Sequence, residues 1–432
     1  MIHKNRPAFS NRPVCYIFRP VLAVAKEAVT EMLRMALPTE AREVLELRKL
    51  AGKSSNAKLG AMLAYAGADN RVRGTLQYHG AHTARWGGRG PQPQNLPRPS
   101  MPGVSKKQLP AAIEKAFNFI SHDEIGGLRA MGSLLDIISS CLRGMIVAPH
   151  GHEFYGADFA GIEARVLAWL AGDSTTVEAF RLYDQDKGPE VYKVAASGIY
   201  NKTVADITDK ERTIGKVATL ALGYQGGVGA FQNMAAVYGV SVSDQRADEI
   251  KIAWRQSHPE IVSYWGRLEK AAFEAITKPH TPVTVGPDWR RVEFLRSNKK
   301  GINYLQARLP SGRVMFYANP EIRFEDCKHG SQRKIFYKLT EDGRTSNIST
   351  YGGKLSENIT QAVARDLLAE AMVRVDIAGF KTVLHVHDEI VAEVAKGAKV
   401  SGQFEQLMAE VPAWAEGLPI AVEGWTGRRF QK

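Results

Sequence analysis

The sequence predicts an α+β protein, and three stretches of its second part carry that prediction. HEFYGADF (152–159) is short, apolar and aromatic, as a strand is, and it runs into GIEARVLAWLAG, whose Ile162, Val166, Leu167, Trp169 and Leu170 fall on one helical side. Thr208 with Glu211 three positions on reads as a capping box, opening the long helix TDKERTIGKVATLALGY, which ends in the glycine cluster Gly223, Gly226, Gly227 and Gly229. TVLHVHDEIVAEV (382–394) alternates and turns at Asp388-Glu389, which predicts a β-hairpin with the acids at its tip.

Upstream the signals are sparser. Residues 38–66 carry a helical pattern interrupted near Gly52. The Gly52-Lys53-Ser54 triplet is not a phosphate loop, because Leu47 stands where that loop needs a glycine. Residues 84–103, rich in Pro and Gly, predict an extended segment or loop, and no internal repeat is evident. Basic residues break the apolar stretches of the first 29 residues, which makes them a poor signal peptide, expected to stay in the mature chain.

A chain of 432 residues suffices for about three domains of roughly 150 residues each. A hydrophobic content of 44% with 24% charged residues excludes disordered and fibrous classes. No apolar run approaches the ~18 residues of a membrane helix, so no membrane partner is expected. Cys15, Cys141 and Cys327 form no CxxC pair and are odd in number, which suits a reducing cytoplasm and indicates neither a disulfide framework nor a zinc site.

The 57 Lys+Arg against 45 Asp+Glu give +12, of which +10 (21 basic, 11 acidic) lies upstream of Asp158. From Arg48 to Lys107 there are 11 bases and one acid, Asp69, interleaved with Tyr65, Tyr78 and Trp86. That composition suits tracking a phosphate backbone; a solvated basic face without a partner is the alternative.

Asp158 and Asp388 each stand at the edge of a predicted strand in an apolar stretch. If those strands are neighbours, the carboxylates converge and could bridge two Mg²⁺ ions for in-line phosphoryl displacement; turn-capping acids are the blander explanation. Arg212 and Lys216, one helical turn apart, share a face with Leu220 and Tyr224 and make either a triphosphate clamp or a solvated basic face. The GYQGGVG cluster does not follow a strand and reads as a helix end or tight loop.

Together these residues resemble the polymerase domain of family A DNA polymerases, most closely the bacteriophage type. ADFAGIEAR (157–165) is similar to the family's first palm motif, RTIGKVATLALGY (212–224) to its fingers-helix motif and HVHDEIV (385–391) to its second palm motif. HTARWGGRGPQPQNLP (82–97) resembles the segment after the thumb, and YGGKLSENITQAVARDLL (351–368) the helix before the last palm hairpin. The five motifs are in order, and the resemblance covers roughly residues 40–395.

The resemblance implies a right-hand architecture with an antiparallel palm sheet, helical fingers and a shortened helical thumb. The expected divisions are an N-terminal segment of unknown role (1–39), thumb (40–80), first part of the palm (81–174), fingers (175–350) and second part of the palm (351–432). It implies a template-directed DNA polymerase of phage replication in the bacterial host cytoplasm, acting as a monomer on primer-template DNA and dNTPs with two Mg²⁺ ions, Mn²⁺ being a substitute. Asp158 and Asp388 would hold the metals with the Phe159 backbone carbonyl, and Glu389 would be an accessory acid. Glu163 matches the steric gate against a 2′-hydroxyl. Arg212 and Lys216 would grip the triphosphate, and Tyr224 would sit by the templating base. Arg85, Gln361 and His387 would touch primer or template through minor-groove acceptors shared by all base pairs, and Arg143 would contact the backbone.

Three positions depart from the family pattern. Leu220 stands where cellular members have an aromatic, Ala84 replaces the glycine before Arg85, and Tyr192 stands where many members place a histidine toward the β-phosphate. The 157 residues before Asp158 are too few for both a proofreading exonuclease and a long thumb. A separate exonuclease chain, or a fragment, is expected, with low processivity and a clamp or helicase as further partners. Three rivals stay open: a single-subunit RNA polymerase, which Glu163 argues against; a catalytically impaired remnant that clamps primer-template DNA; and a metal nuclease, which leaves the triphosphate clamp unexplained.

Overall fold

A computed structural model describes residues 29–431, apart from 30, 31, 34, 52–56, 82, 106, 328, 329, 342 and 343. Most of the 1–39 segment and the Gly52-Lys53-Ser54 triplet therefore lie outside the described residues. The described residues divide into two compact units, one of residues 29–73 and 96–144 and one of residues 74–95 and 145–431.

In the first unit the helical pattern at 38–66 forms α1 (Thr39–Ala51) and α2 (Ala57–Tyr65). Three further helices follow, α3 (Leu109–Ser121), α4 (Ile125–Met131) and α5 (Leu134–Cys141). The segment leading into them is tied down by hydrogen bonds: the Ser140 hydroxyl donates to the Ser100 carbonyl at 2.5 Å. Arg143 donates from Nη2 to the Leu96 carbonyl at 2.8 Å and from Nε to that of Pro97 at 3.1 Å.

The second unit opens with the short pair β1 (Leu76–Gln77) and β2 (Gly87–Gly88). Its centre is an antiparallel sheet of order β10-β11-β3-β12, built from β3 (His152–Phe159), β10 (Lys381–Val386), β11 (Glu389–Ala395) and β12 (Val422–Gly427). Alternation along β3 divides its side chains between two cores. Tyr155, Ala157 and Phe159 enter the main core, while Phe154 joins Ala148, Val386, Val391 and Phe430 on the opposite face. Gly156 is required there, since a Cβ would lie 2.3 Å from the Trp425 indole.

Helices α6 (Ile162–Ala171), α7 (Ser174–Asp184), α8 (Val191–Tyr200), α9 (Asp209–Leu222), α10 (Val228–Val237), α11 (Asp244–Ser257) and α12 (Pro259–Thr277) follow β3. The capping box at the head of α9 forms as its sequence predicts: the Glu211 N–H donates to Thr208 Oγ1 at 3.3 Å, and the Thr208 N–H to Glu211 Oε2 at 3.0 Å. The glycine cluster ends α9 and starts α10, with Gly223 as C-cap of the first and Gly227 as N-cap of the second. Arg165, on α6, is 2% exposed. It donates to both oxygens of Asp184 at 2.5 and 2.7 Å and to the Ala160 carbonyl at 2.7 Å, which fixes α6 against α7 and the end of β3.

Residues 283–350, expected within helical fingers, instead form an antiparallel meander, which corrects that expectation. The six strands are β4 (Val283–Val285), β5 (Val292–Lys299), β6 (Ile302–Arg308), β7 (Val314–Cys327), β8 (Gly330–Glu341) and β9 (Arg344–Thr350), paired in chain order. The physical reason is alternation: Phe294, Leu305, Ala307, Met315, Tyr317, Ile335 and Tyr337 are buried against a core that includes α12. Glycines at positive φ, Gly301 (81°) and Gly312 (84°), make the turns. The long helix α13 (Gly352–Ile377) then crosses the core and delivers the chain to the β10–β11 hairpin. Among the described residues no helix is long and apolar enough to cross a membrane.

Candidate active site

The hairpin and β3 are neighbours, so the two aspartates meet at one end of the central sheet. Glu389 lies in register opposite Asp158, and the Phe159 N–H donates to the Asp388 carbonyl at 3.1 Å. Asp158 and Asp388 are half-buried, Asp388 within the two-residue turn. Glu389 is 4% exposed, and its Oε1 accepts from Trp425 Nε1 at 2.7 Å. On the other side of β3, Glu423 of β12 is also in register with Asp158. Acids facing one another across strands repel, and this end of the sheet concentrates negative charge.

One turn past β3, Glu163 is held from two sides. Arg85 Nη2 donates to its Oε1 at 2.7 Å, and the Tyr224 hydroxyl to its Oε2 at 3.2 Å. Burial, and then the neighbouring Glu163 charge, hold the Tyr224 hydroxyl well above its ordinary range, so it stays a donor. Tyr224 is positioned from below by Gly353: a Cβ there would sit 2.4 Å from the Tyr224 carbonyl, and the Gly353 N–H donates to Gln225 Oε1 at 2.9 Å. Leu220, 37% exposed, lines a cavity of about 310 Å³ with Glu163, Thr219, Tyr224 and Trp254.

The two cations of α9 do face one way, and each is engaged. Arg212 pairs through Nε and Nη2 with both oxygens of Glu190. The Lys216 ammonium lies 5.5 Å from the Tyr192 ring centroid and 5.3 Å from that of Tyr238. Close approach of α8 to α9 is what sets these contacts: a Cβ on Gly215 would lie 2.2 Å from the Tyr192 carbonyl.

Arg85 and His387 line one small cleft with Trp86 and His385. His387 is exposed, at φ 54° in the hairpin turn. Ala84, buried, sits at φ 62°, a conformation that favours the glycine it replaces. Gln361 is half-buried on α13. Arg143, 8% exposed, belongs to the other compact unit, where the carbonyls of Leu96 and Pro97 take its N–H groups.

The family model for DNA polymerase family A matches residues 22–281, more than half of the chain. The chain belongs to DNA polymerase family A. It is 36% identical over 416 residues to the DNA polymerase of Bacillus phage SP02, covering 95% of this chain and 60% of that relative. DNA polymerase I of Pseudomonas aeruginosa is 26% identical over 299 residues, 67% of this chain and 26% of that one. Among solved structures, the POL domain of Pol1 from M. smegmatis, in complex with DNA primer-template and dNTP, matches with a TM-score of 0.57 at 17% identity. That match covers 94% of this chain and 56% of the other, and assigns the right-hand polymerase fold. The chain thus spans about 60% of the length of the phage relative.

In this family A chain a cation–aromatic cluster that the sequence does not announce lies beside the cleft of Arg85 and His387. Arg365, in the middle of α13, lies against two rings, its guanidinium carbon 4.9 Å from the Tyr78 ring and 4.1 Å from that of Trp86. His385 meets Trp86 edge-on at 4.6 Å between centroids. Only the period-two spacing of His385 and His387, and the aromatics among the upstream bases, hinted at this stack. Burial, and then the Arg365 charge, push the His385 pKa from 6.5 down to about 4. The folded chain therefore binds this proton less tightly than the unfolded chain does. Stability from neutral His385 is full above about pH 6.5 and falls as pH drops toward 4, by at most about 3.5 kcal/mol at ~1.4 kcal/mol per pH unit. Melting curves across that window should fall less steeply for His385→Gln than for wild type; parallel curves would assign the acid lability elsewhere.

Proposed function

We propose that the chain is a template-directed DNA polymerase that adds deoxynucleotides to a primer 3′ end, in phage DNA replication. The observation that carries this reading is the pairing of β3 with β11, which brings Asp158 and Asp388 to one sheet end beside a Glu163 held by two donors. Family membership and the neighbour's fold support it.

Family A DNA polymerases generally use divalent metal ions, and the donor chemistry here fits Mg²⁺. Asp158, Asp388 and the Phe159 carbonyl offer oxygen only, and Mg²⁺ takes one or two carboxylates and fills its other positions with water and substrate phosphates. Two bound Mg²⁺ ions, or Mn²⁺ in their place, would supply Lewis-acid polarisation of phosphoryl oxygens and a more acidic attacking hydroxyl. In the reaction the primer 3′-hydroxyl attacks the α-phosphate and pyrophosphate leaves. Arg212 and Lys216 neutralise the triphosphate, to which Tyr192 can donate one hydrogen bond. Glu163 excludes the 2′-hydroxyl and Tyr224 packs by the nascent pair. Leu220 leaves the sugar face without an aromatic. Arg85, Gln361 and His387 touch primer or template near the terminus and Glu389 acts as accessory acid, whereas Arg143, expected as a backbone contact, is buried on the Leu96 and Pro97 carbonyls and acts through the segment it holds.

In this reading the central sheet with α13 is the palm, residues 175–350 belong to the fingers and 40–80 to a short thumb. The working form is a monomer in the host cytoplasm, with proofreading, clamp or helicase functions on other chains. Extension of a labelled primer with Mg²⁺ and dNTPs, beside a parallel rNTP reaction, tests the proposal. Extension with dNTPs strongly preferred is expected. Salt-sensitive duplex binding without extension would favour a DNA-binding remnant, and equal use of rNTPs an RNA polymerase.

A further inference from the structure

The two α9 cations are restrained by different chemistry, and both restraints come mainly from the head of α8. Glu190, the residue that precedes α8, gives both carboxylate oxygens to Arg212 and none to a cap of its own helix. Tyr192, two residues on, lies under Lys216, with Tyr238 as the second ring. Aromatic faces hold an ammonium without neutralising it, whereas the planar carboxylate both orients and neutralises a guanidinium. Burial raises the Tyr192 pKa, so its ring adds no negative charge. The arrangement holds Lys216 between two rings and pairs Arg212 with a carboxylate.

We propose that Glu190 is a stand-in anion that holds Arg212 in the nucleotide-free chain and must be displaced by an incoming triphosphate, so that it sets the anionic charge a ligand needs to occupy this face of α9. The inference rests on the reading of Arg212 and Lys216 as the triphosphate clamp. The ion pair is open to exchange because it is only partly buried: Arg212 is 35% and Glu190 23% exposed, so an incoming anion can reach it and salt screens it in part. A triphosphate brings several negative charges to the same two cations and can outbid one carboxylate; a monophosphate meets a face on which one of two positive charges is already cancelled. Glu190 is thus a positioning and selectivity residue, not a catalytic one.

The test compares wild type with Glu190→Gln, Glu190→Asp and Arg212→Ala in steady-state primer extension, with dNTP-dependent and pyrophosphate-dependent thermal shifts as a readout independent of turnover. Glu190→Gln keeps the shape and removes the charge. It should lower KM for dNTP about two- to fivefold, tighten inhibition by pyrophosphate by a similar factor and leave kcat within twofold. Glu190→Asp should stay near wild type, and the gap between wild type and Glu190→Gln should close as salt rises. Arg212→Ala should raise KM at least tenfold. If Arg212→Ala does so while Glu190→Gln leaves KM unchanged or raised, the stand-in role is overturned and the clamp stands. If Arg212→Ala leaves KM and both thermal shifts unchanged, the clamp reading falls and takes this inference with it.

Discussion

Asp158→Asn will lower primer extension by at least about 10³-fold, and Asp388→Asn will do the same, while duplex affinity stays within about threefold. Each substitution keeps the side chain's size and removes one negative charge from the end of a sheet where β3, β11 and the hairpin turn bring Asp158, Asp388 and Glu389 together. Divalent-metal stabilisation of a phosphoryl transition state is worth several kcal/mol. Losing about 4 kcal/mol of it is about a thousandfold in rate, at roughly 1.4 kcal/mol per factor of ten. Duplex binding draws chiefly on phosphate contacts by Lys and Arg, none of which these substitutions touch. Glu389→Gln should cost less, because that side chain is buried and already accepts a hydrogen bond from Trp425. Single-turnover extension with saturating dNTP, alongside a duplex-binding titration, measures both quantities. Extension retained within tenfold in either aspartate variant would remove these residues from the reaction centre.

Signals that close over a few residues were readable in the sequence; partners brought in from far along the chain were not. The strand into α6, the Thr208–Glu211 box and the alternating hairpin are local patterns, and the first two form where the residues predict them, while the hairpin turns one residue earlier, at His387-Asp388, so that Asp388 is in the turn and Glu389 is the first, buried residue of β11. The meander at 283–350 was equally local: VEFLRSNK, INYLQAR and RKIFYKLTE alternate around glycine turns. The family resemblance implies helical fingers over this stretch, but alternation that buries Phe294, Leu305 and Tyr337 is the stronger physical signal. Glu190 beneath Arg212, Trp425 on Glu389 and the Tyr78–Arg365–Trp86 stack depend on register and helix packing between segments 22 to 287 positions apart. A single sequence holds no local trace of such pairs. The candidate site divides the same way: the residues on α9 and in the hairpin were legible as types and spacings, while the contacts that orient them had to be seen.

Glu163→Ala will erase most of the discrimination between deoxy- and ribonucleotides, raising the ratio of rNTP to dNTP incorporation about 10²- to 10³-fold. The reason is how firmly the carboxylate is held. Arg85 and Tyr224 each donate to a different oxygen, so the group cannot swing aside to admit a 2′-hydroxyl without breaking a hydrogen bond to a charged acceptor. Such bonds are worth about 1.5–3 kcal/mol each. Two at the low end, appropriate for a side chain 35% exposed, give about 3 kcal/mol, or somewhat over a hundredfold. Tyr224→Phe removes one of the two donors and should relax selectivity by only about tenfold. Glu163→Gln keeps the bulk and should retain most of it, since one amide oxygen can still accept from Arg85. The measurement is kcat/KM for a dNTP and its ribonucleotide counterpart on one primer-template for all four proteins. A Glu163→Ala enzyme that discriminates as wild type does would mean that another group excludes the 2′-hydroxyl, and that the Arg85–Glu163–Tyr224 network serves to tie the start of α6 to the segment before β2 and to the loop after α9.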